Sequence, residues 1–312
     1  MKETKKELKR FFNDIKLPVA PIPDDEYLMH IINLIPEVYY KYTIFHDEKE
    51  KYVDFLGMWD KWKNKAIEEI KNRPKYLEFI KSDMSKWKLI DFPTGGFPNR
   101  SVFIPENNGS HFLSIDLVSA NFQALKKVGV HTEESWEDFI KKITYSEHIR
   151  GSKQFRSIVY GNLNIPRVQT IEKYLINEVR RFISDCIPDN YILWSMMPDE
   201  LIYEIKGSEL GILDFGKLLA QIETKVSKDI KIKVQQFQLL KKTIRPVSGG
   251  KGVDFYVKKD IGSFETVHCL GSPYYPLGMS LLKGLEPSHW DYIFLNQEGY
   301  TCKIEEKFII ES

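Results

Sequence analysis

A strand–turn–strand pattern between Trp194 and Ile205 restricts the fold of this chain more than any other stretch. Its letters, WSMMPDELIYEI, place two apolar runs on either side of Pro198, Asp199 and Glu200. Proline and aspartate favour turns, and apolar runs on both sides of a turn indicate a β-hairpin. The sequence therefore predicts a hairpin that carries two adjacent carboxylates at its tip.

A second apolar run, FLSIDLVS at residues 112–119, contains an acidic residue near its end, Asp116. A carboxylate in a buried strand is unfavourable unless it is paired or binds a metal ion. An acid at a strand end beside an acidic hairpin is an arrangement that holds divalent metal ions for phosphoryl transfer. Two ordinary alternatives stay open: Asp116 as a helix cap, and Asp199 with Glu200 as a polar turn.

The composition indicates a globular protein. Of 312 residues, 42% are hydrophobic and 29% are charged, so a buried core is expected. A net charge of +1 gives no global attraction for nucleic acid, although a local basic face would suffice. Three scattered cysteines argue against a zinc site and favour a reducing compartment. With neither a signal-peptide pattern nor ~20 consecutive apolar residues, the sequence predicts a cytoplasmic protein without a membrane partner.

Three regions follow one another along the chain. Residues 1–92 have helical patterns and are interpreted as an N-terminal helical region, which a Pro- and Gly-rich break follows. Residues 93–246 alternate strand, helices, hairpin, helix and strand, with a helical insert at about 120–185. Residues 247–312 predict a small β-rich module. This order predicts an α+β fold, in which helices pack on one face of an antiparallel sheet.

Periodicity also predicts single elements. Helical spacing predicts one continuous helix over residues 147–160 and another over 171–183. Alternating apolar and polar residues predict a strand over 230–239. The sequence PYYP at 273–276 predicts an aromatic turn.

Several segments of the middle region resemble motifs of template-directed nucleic-acid polymerases. The segment DLVSANF, which begins at Asp116, resembles motif A of family B DNA polymerases, where Ser follows three positions after Asp. The segment KQFRSIVYG, which begins at Lys153, resembles motif B, a basic helix ending in Tyr-Gly. PDELIYE at 198–204 is similar to motif C of family A enzymes, with Pro in place of His. The lysine pair at 241–242 is similar to a segment near the primer in family B enzymes.

The resemblance covers roughly residues 112–244 and implies a polymerase-palm-like sheet in a compact nucleotidyltransferase. Such an enzyme adds nucleotides to a primer with two metal ions ~3.5–4 Å apart. The implied cofactor is Mg²⁺ or Mn²⁺, and the implied partners are a primer–template and nucleoside triphosphates. The compact size is typical of a viral or mobile element that replicates DNA, which implies the host-cell cytoplasm.

The resemblance also implies a role for individual residues. Catalysis and metal binding are implied for Asp116 and Asp199, with support from Glu200 and a further metal ligand in the carbonyl of Leu117. The implied nucleotide-binding residues are Arg150, Lys153 and Arg156 for the triphosphate, Tyr160 for the base and Asn121 for the sugar. Lys241 and Lys242 are the implied nucleic-acid contacts.

Two features depart from the polymerase pattern. The interval between Asp116 and Asp199 is much shorter than in family A or B enzymes, so only minimal fingers fit between them. No exonuclease-like acidic motif precedes residue 112. Two other functions therefore stay open. One is a non-catalytic nucleic-acid-binding protein on a degenerate palm, and the other is a metal-dependent nuclease, because two-metal geometry also cleaves phosphodiesters.

Overall fold

The computed structural model describes residues 3–52, 54–89, 96–207, 212–260 and 265–311. Within these residues the chain forms twelve α-helices and nine β-strands. The helices are α1 (Lys5–Asp14), α2 (Asp25–Leu34), α3 (Pro36–Lys51), α4 (Phe55–Lys71), α5 (Pro74–Lys81), α6 (Ala120–Lys127), α7 (Trp136–Lys141), α8 (Glu147–Gly151), α9 (Lys153–Gly161), α10 (Ile165–Ile183), α11 (Ile212–Lys225) and α12 (Tyr275–Leu282). The strands are β1 (His111–Leu117), β2 (Tyr191–Met196), β3 (Glu200–Ile205), β4 (Ile232–Pro246), β5 (Val253–Asp260), β6 (Thr266–His268), β7 (Ile293–Leu295), β8 (Thr301–Lys303) and β9 (Phe308–Glu311).

Seven of the described strands form one antiparallel sheet. Its order is β2–β3–β1–β4–β5–β6, with β9 paired to the second half of β4. The central strand β1 is antiparallel to both β3 and β4. Because helices separate β1 from β2 and β3 from β4, the first four strands have the β-α-β-β-α-β order of a split β-α-β unit. The predicted α+β fold is confirmed, and the predicted hairpin is β2–β3.

One face of this sheet is covered by helices. Side chains alternate along a strand, so Leu113, Ile115 and Leu117 of β1 all point to the same face. They are buried in one core with residues of the helical insert such as Phe155 of α9 and Leu175 of α10. The even-numbered residues of β1 therefore face the other side of the sheet.

The N-terminal helices belong to the same core and contact the helical insert. Phe155 of α9 meets Trp59 of α4 edge to face, with ring centroids 5.0 Å apart. The guanidinium of Arg10 on α1 lies 4.1 Å from the centroid of the Trp59 ring. These contacts fix α9 relative to α1 and α4. The boundary predicted between residues 92 and 93 lies outside the described residues.

A smaller apolar cluster covers part of the opposite face of the sheet. It contains Phe112 of β1, Ile202 of β3 and Phe237 of β4, together with Val102 and Phe103 from the segment before β1. The rings of Phe112 and Phe237 stack with centroids 5.5 Å apart. Polar side chains begin on this face where the apolar cluster ends, toward the carboxyl end of β1.

The C-terminal residues continue the main sheet. Strands β5 and β6 extend it beyond β4, while β7 and β8 pair only with each other. His30 of α2 contacts Asp291 at 2.8 Å, which links this region to the N-terminal helices. Residues 247–312, which the sequence divides off as a module, thus share their sheet with the middle region. Among the described helices, none is long and apolar enough to cross a membrane.

Four elements differ from their predicted extents. Helix α10 begins at Ile165, six residues before the predicted start at residue 171. The helix predicted over 147–160 is divided into α8 and α9 at Ser152, whose hydroxyl accepts the Phe155 N–H at 3.0 Å and caps α9. Strand β4 runs on to Pro246 because β5 and β9 pair with its second half. The turn predicted at 273–276 leads into α12, since Pro276 lies in the first helical turn, where a missing N–H is tolerated.

Candidate active site

Three acidic residues meet where β1 and β3 pair. Asp116 of β1 is directly opposite Glu200 of β3, so their Cα atoms are ~4.5–5.5 Å apart. Asp199 precedes Glu200 in the hairpin turn, and its carbonyl accepts the Leu117 N–H at 2.8 Å. The sheet register therefore places Asp116 opposite Glu200, next to Asp199, the residue that the sequence assigns to the metal site together with Asp116.

The pattern of β1 decides which way its acid points. Leu113, Ile115 and Leu117 fill the helical core, so Asp116 lies on the opposite face beside Ser114. The Ser114 hydroxyl donates a hydrogen bond of 2.6 Å to Oε1 of Glu200. One oxygen of the Glu200 carboxylate is thereby fixed next to Asp116.

The backbone after β1 has an uncommon conformation. Ser119 has φ 54° and ψ 51°, the left-handed region that a residue with a Cβ rarely adopts. Such conformations are retained where the surrounding structure holds them, often at functional sites. Gln123 of α6 holds this bend, because its side-chain amide donates to the Val118 carbonyl at 2.5 Å and to the Lys231 carbonyl at 2.8 Å.

The charges of the three acids oppose one another. Burial, together with the nearby charges of Asp199 and Glu200, raises the pKa of Asp116 to about 6. The charges of Lys153 and Lys233 act in the opposite direction and lower it. Asp116 is therefore a partly buried carboxylate whose ionised form gains from any added cation.

A fourth acid lies close to this cluster. Glu172 of α10 is only 4% exposed, and burial together with the charge of Asp199 raises its pKa to about 7. The Asn121 side-chain amide donates a hydrogen bond to Oε1 of Glu172, which opposes that rise. Asn121, predicted to contact the sugar, thus lies at the edge of the acidic cluster with its amide bonded to Glu172. The sequence signal for Glu172 is an acid within the apolar stripe of α10.

Two cations of the helical insert are close enough to Asp116 for their charges to act on it. Lys153 and Arg156 stand one turn apart in α9, and the charge of each interacts with Asp116. Arg156 is half-buried, and burial lowers the pKa of its guanidinium. The two residues that the sequence assigns to the triphosphate are therefore within electrostatic reach of Asp116.

Two lysines of the sheet complete the charge distribution. Lys233 of β4 is the cross-strand partner of Asp116. Lys258 of β5 lies 4.3 Å from the ring centroid of Phe237, and burial lowers its pKa against the opposing charges of Glu200, Asp260 and Asp116. Sequence reasoning missed both lysines, because their proximity to Asp116 follows from strand register.

Tyr160 requires a correction. The sequence assigns it to the base pocket, but Tyr160 is 2% exposed and its hydroxyl lies 3.0 Å from Nε2 of His131. A ring enclosed in this way has no free face for a base. Tyr160 faces inward because it continues the apolar stripe of Phe155 and Val159 along α9.

The remaining predicted ligand contacts are Arg150 of α8 and the lysine pair of β4. Arg150 is half-buried at the end of α8, pairs with Glu147 at 3.5 Å, and lines the same cavity as Lys153. Lys241 pairs with Asp254 of β5 at 2.8 Å. Lys242 follows it in β4, opposite Phe255. The lysine pair lies in the half of β4 beyond its pairing with β1.

The acids suit a hard divalent cation, but they do not form a complete cage. Among the described residues, no group of three or more His, Cys, Asp or Glu side chains is already disposed to hold a metal ion. Mg²⁺ commonly takes only one or two carboxylates and keeps positions for water and substrate phosphate. Asp116 and Asp199 can supply those carboxylates, and a cation would offset both the burial and the mutual repulsion that raise the pKa of Asp116.

No protein-family model, curated protein or solved structure matches this chain at a significant level.

Proposed function

We propose that the protein is a nucleotidyltransferase that extends a primer with nucleoside triphosphates. The observation that carries the proposal is the pairing of Asp116 with Glu200 across β1 and β3, with Asp199 beside them. Burial and the charges of these neighbours raise the pKa of Asp116, so an added cation is favoured at this point. The charges of Lys153 and Arg156 act on the same carboxylate, and these side chains suit the phosphates of a nucleotide.

The residues divide the chemistry between them. Asp116 and Asp199 would hold Mg²⁺, which supplies charge neutralisation at the primer hydroxyl and at the triphosphate. Lys153 and Arg156 would orient the triphosphate by charge-assisted hydrogen bonds to its oxygens. Glu200, fixed by the Ser114 hydroxyl, adds negative charge that keeps the cation in place. The gain from this arrangement is mainly the alignment of two reactants and the stabilisation of developing charge.

Lys153 and Arg156 also favour a nucleotidyltransferase over a nuclease. A nuclease that cleaves phosphodiesters needs the metal-binding acids but has no triphosphate to bind. Lys153 and Arg156 place two positive charges near Asp116, where the β- and γ-phosphates of a bound nucleotide would lie. Two positive charges beside the acids favour a substrate with several adjacent negative charges over a single backbone phosphate.

The test is extension of a labelled primer–template by the full chain in Mg²⁺ or Mn²⁺. We expect Asp116→Asn and Asp199→Asn to reduce extension by at least 10²-fold, since each removes a carboxylate from the metal site. The matched control is Asp189→Asn, an exposed aspartate in the loop before β2, which should extend as the unmodified protein does.

Each alternative gives a different result in the same assay. A nuclease shortens the labelled strand when nucleotides are left out, and the same two aspartate variants stop that cleavage. A non-catalytic binding protein retains the labelled strand in a salt-dependent complex without changing its length. Extension that survives both Asp116→Asn and Asp199→Asn would refute the proposed site.

A further inference from the structure

The end of α1 lies directly against the start of α9. The Ser152 hydroxyl, which caps α9, also donates to the Asp14 carbonyl at 3.4 Å. The Asp14 carboxylate contacts Nε2 of His148 at 3.0 Å and the guanidinium of Arg10 at 2.9 Å. Lys16 lies two residues after Asp14, and Lys153 lies one residue after Ser152. The contact therefore places a lysine of the N-terminal region beside the cations of α9.

Lys16 itself has an unfavourable backbone conformation. Its φ is 56°, the left-handed region, at the point where α1 ends. The Leu17 N–H donates to the Phe12 carbonyl at 2.9 Å and the Lys16 N–H to the Asn13 carbonyl at 3.0 Å, so the helix closes with a left-handed cap. Glycine is the usual residue at such a position because it has no Cβ. The left-handed cap of α1 therefore does not explain why residue 16 is a lysine.

A cavity opens between the ends of α1, α3 and the helices α7 to α9. Its volume is about 840 Å³, which is sufficient for a ligand of nucleotide size. Cations outnumber acids in its lining, which includes Lys16, Lys41, Lys141, Arg150 and Lys153. Of the acids in the lining, Asp14 is already engaged by Arg10 and His148. The cavity thus favours an anionic ligand.

Lys16 and Lys153 line this cavity, and Arg156 follows Lys153 by one turn of α9. Burial lowers the pKa of Lys16, and the charges of Lys153 and Arg156 lower it further. The charges of Lys153 and Arg156 also reach Asp116. Lys153 therefore belongs both to the cavity lining, with Lys16, and to the pair of α9 cations whose charges act on Asp116.

We propose that Lys16 is the third cation of the triphosphate site, so that bound phosphates extend from Asp116 past Lys153 to the cavity. This inference rests on the proposed function and assigns a role in nucleotide binding to the N-terminal region. Three positive charges suit a triphosphate, which carries about four negative charges, better than a mono- or diphosphate.

Calorimetric titration with dATP and with inorganic tripolyphosphate, in Mg²⁺ and without primer, tests the inference on the full chain. We expect Lys16→Gly to weaken both ligands about 5- to 20-fold through loss of one charge-assisted contact. Its melting temperature should stay equal or rise by about 1–2 °C, because glycine removes the left-handed strain. Loss of affinity without loss of stability is a result that a purely structural lysine does not give.

Two further variants make the outcome decisive. Lys16→Arg retains the charge and should keep the affinity within about 3-fold. Lys61→Ala, at an exposed lysine of α4, should bind both ligands as the unmodified protein does. Unchanged affinity in Lys16→Gly, or no binding of either ligand by the unmodified protein, would overturn the inference. Failure of the proposed function looks different: dATP binds and depends on Lys16, but no primer is extended.

Discussion

Asp116 and Glu200 are directly opposed residues of β1 and β3, and the Ser114 hydroxyl holds Glu200 in place at 2.6 Å. The arrangement is unfavourable by itself, because two carboxylates repel each other when both are ionised. Asp199 adds a third negative charge from the adjoining turn. A ligand of opposite charge should therefore stabilise the folded protein. The first two predictions measure this repulsion and its relief as changes in stability.

Replacing Asp116 by Asn should stabilise the protein and abolish primer extension. The pKa of Asp116 is raised from 3.8 to about 6, so its ionised form destabilises the fold at neutral pH. Stability from this group is present below about pH 4 and is lost as the pH rises through 6. After discounting for partial exposure, we expect Asn to add about 1–2 kcal/mol at pH 7.5 and nothing at pH 4. Urea unfolding across this range measures the difference, and a pH-independent effect would contradict the repulsion.

Magnesium should stabilise the unmodified protein at pH 7.5. A cation that binds the folded state alone adds RT ln(1 + [Mg²⁺]/Kd), so 10 mM Mg²⁺ at a millimolar Kd adds about 1.4 kcal/mol. For a chain of this length we expect the melting temperature to rise by about 2 °C. Asp116→Asn should lose this rise, and sodium chloride of equal ionic strength is the control. An equal rise in Asp116→Asn would place the bound ion elsewhere.

Local pattern predicted the parts of the site that lie within one element. The hairpin β2–β3, the acid at the end of β1 and the basic start of α9 all follow from alternation, turn residues and helical spacing. The direct opposition of Asp116 and Glu200 depends on strand register, which the sequence constrains through the apolar face of β1.

The residues that sequence reasoning missed are positioned by contacts between distant segments. Lys233 reaches Asp116 through β1–β4 pairing, and Lys258 reaches it only because β5 adds to β4. Glu172 depends on how α10 packs against the sheet. Ser152 divides the helix predicted over 147–160, because its capping bond competes with a continuous helix.

Asn121 should control the protonation of Glu172. The pKa of Glu172 is about 7 because burial and Asp199 raise it while the Asn121 amide opposes them. In Asn121→Ala the opposing bond is lost, so we expect the pKa of Glu172 to rise above 7. Carbon-13 NMR titration of the glutamate carboxyl groups measures it. Asn190→Ala, whose amide bonds the Lys206 carbonyl at 2.9 Å, should leave this pKa unchanged.

Tyr160→Phe should weaken the fold and leave nucleotide binding intact. The change removes the contact of 3.0 Å to Nε2 of His131 and leaves a buried nitrogen without that partner. We expect a loss of about 1–2 kcal/mol in the free energy of unfolding, measured with urea. Tyr145→Phe, at a tyrosine that is 86% exposed, should change nothing. A fall in dATP affinity with unchanged stability would restore Tyr160 to the base pocket.

Arg73→Met should be among the most destabilising changes outside the site. Arg73 follows α4 and binds both oxygens of the buried Glu133 at 2.9 and 3.0 Å, and it donates to the Val130 carbonyl at 2.9 Å. Burial opposes ionisation of Glu133, but hydrogen bonds from Arg73 and Lys142 outweigh it and hold the Glu133 pKa well below its usual range. Removing the arginine leaves a buried carboxylate underpaired, so we expect a loss of about 3–4 kcal/mol at pH 7.

The pH dependence of this loss identifies its cause. A lowered carboxyl pKa contributes stability that is present above pH 4.5 and is lost as the pH falls below it. The difference between the unmodified protein and Arg73→Met should therefore shrink on acidification, in urea unfolding at pH 7 and pH 3.5. Lys142→Ala is the matched control, because Lys142 contacts the same carboxylate at 2.6 Å from an exposed position and should cost under about 1 kcal/mol. Equal losses in the two variants would show that neither the burial nor the bidentate pairing of Arg73 strengthens its contact with Glu133.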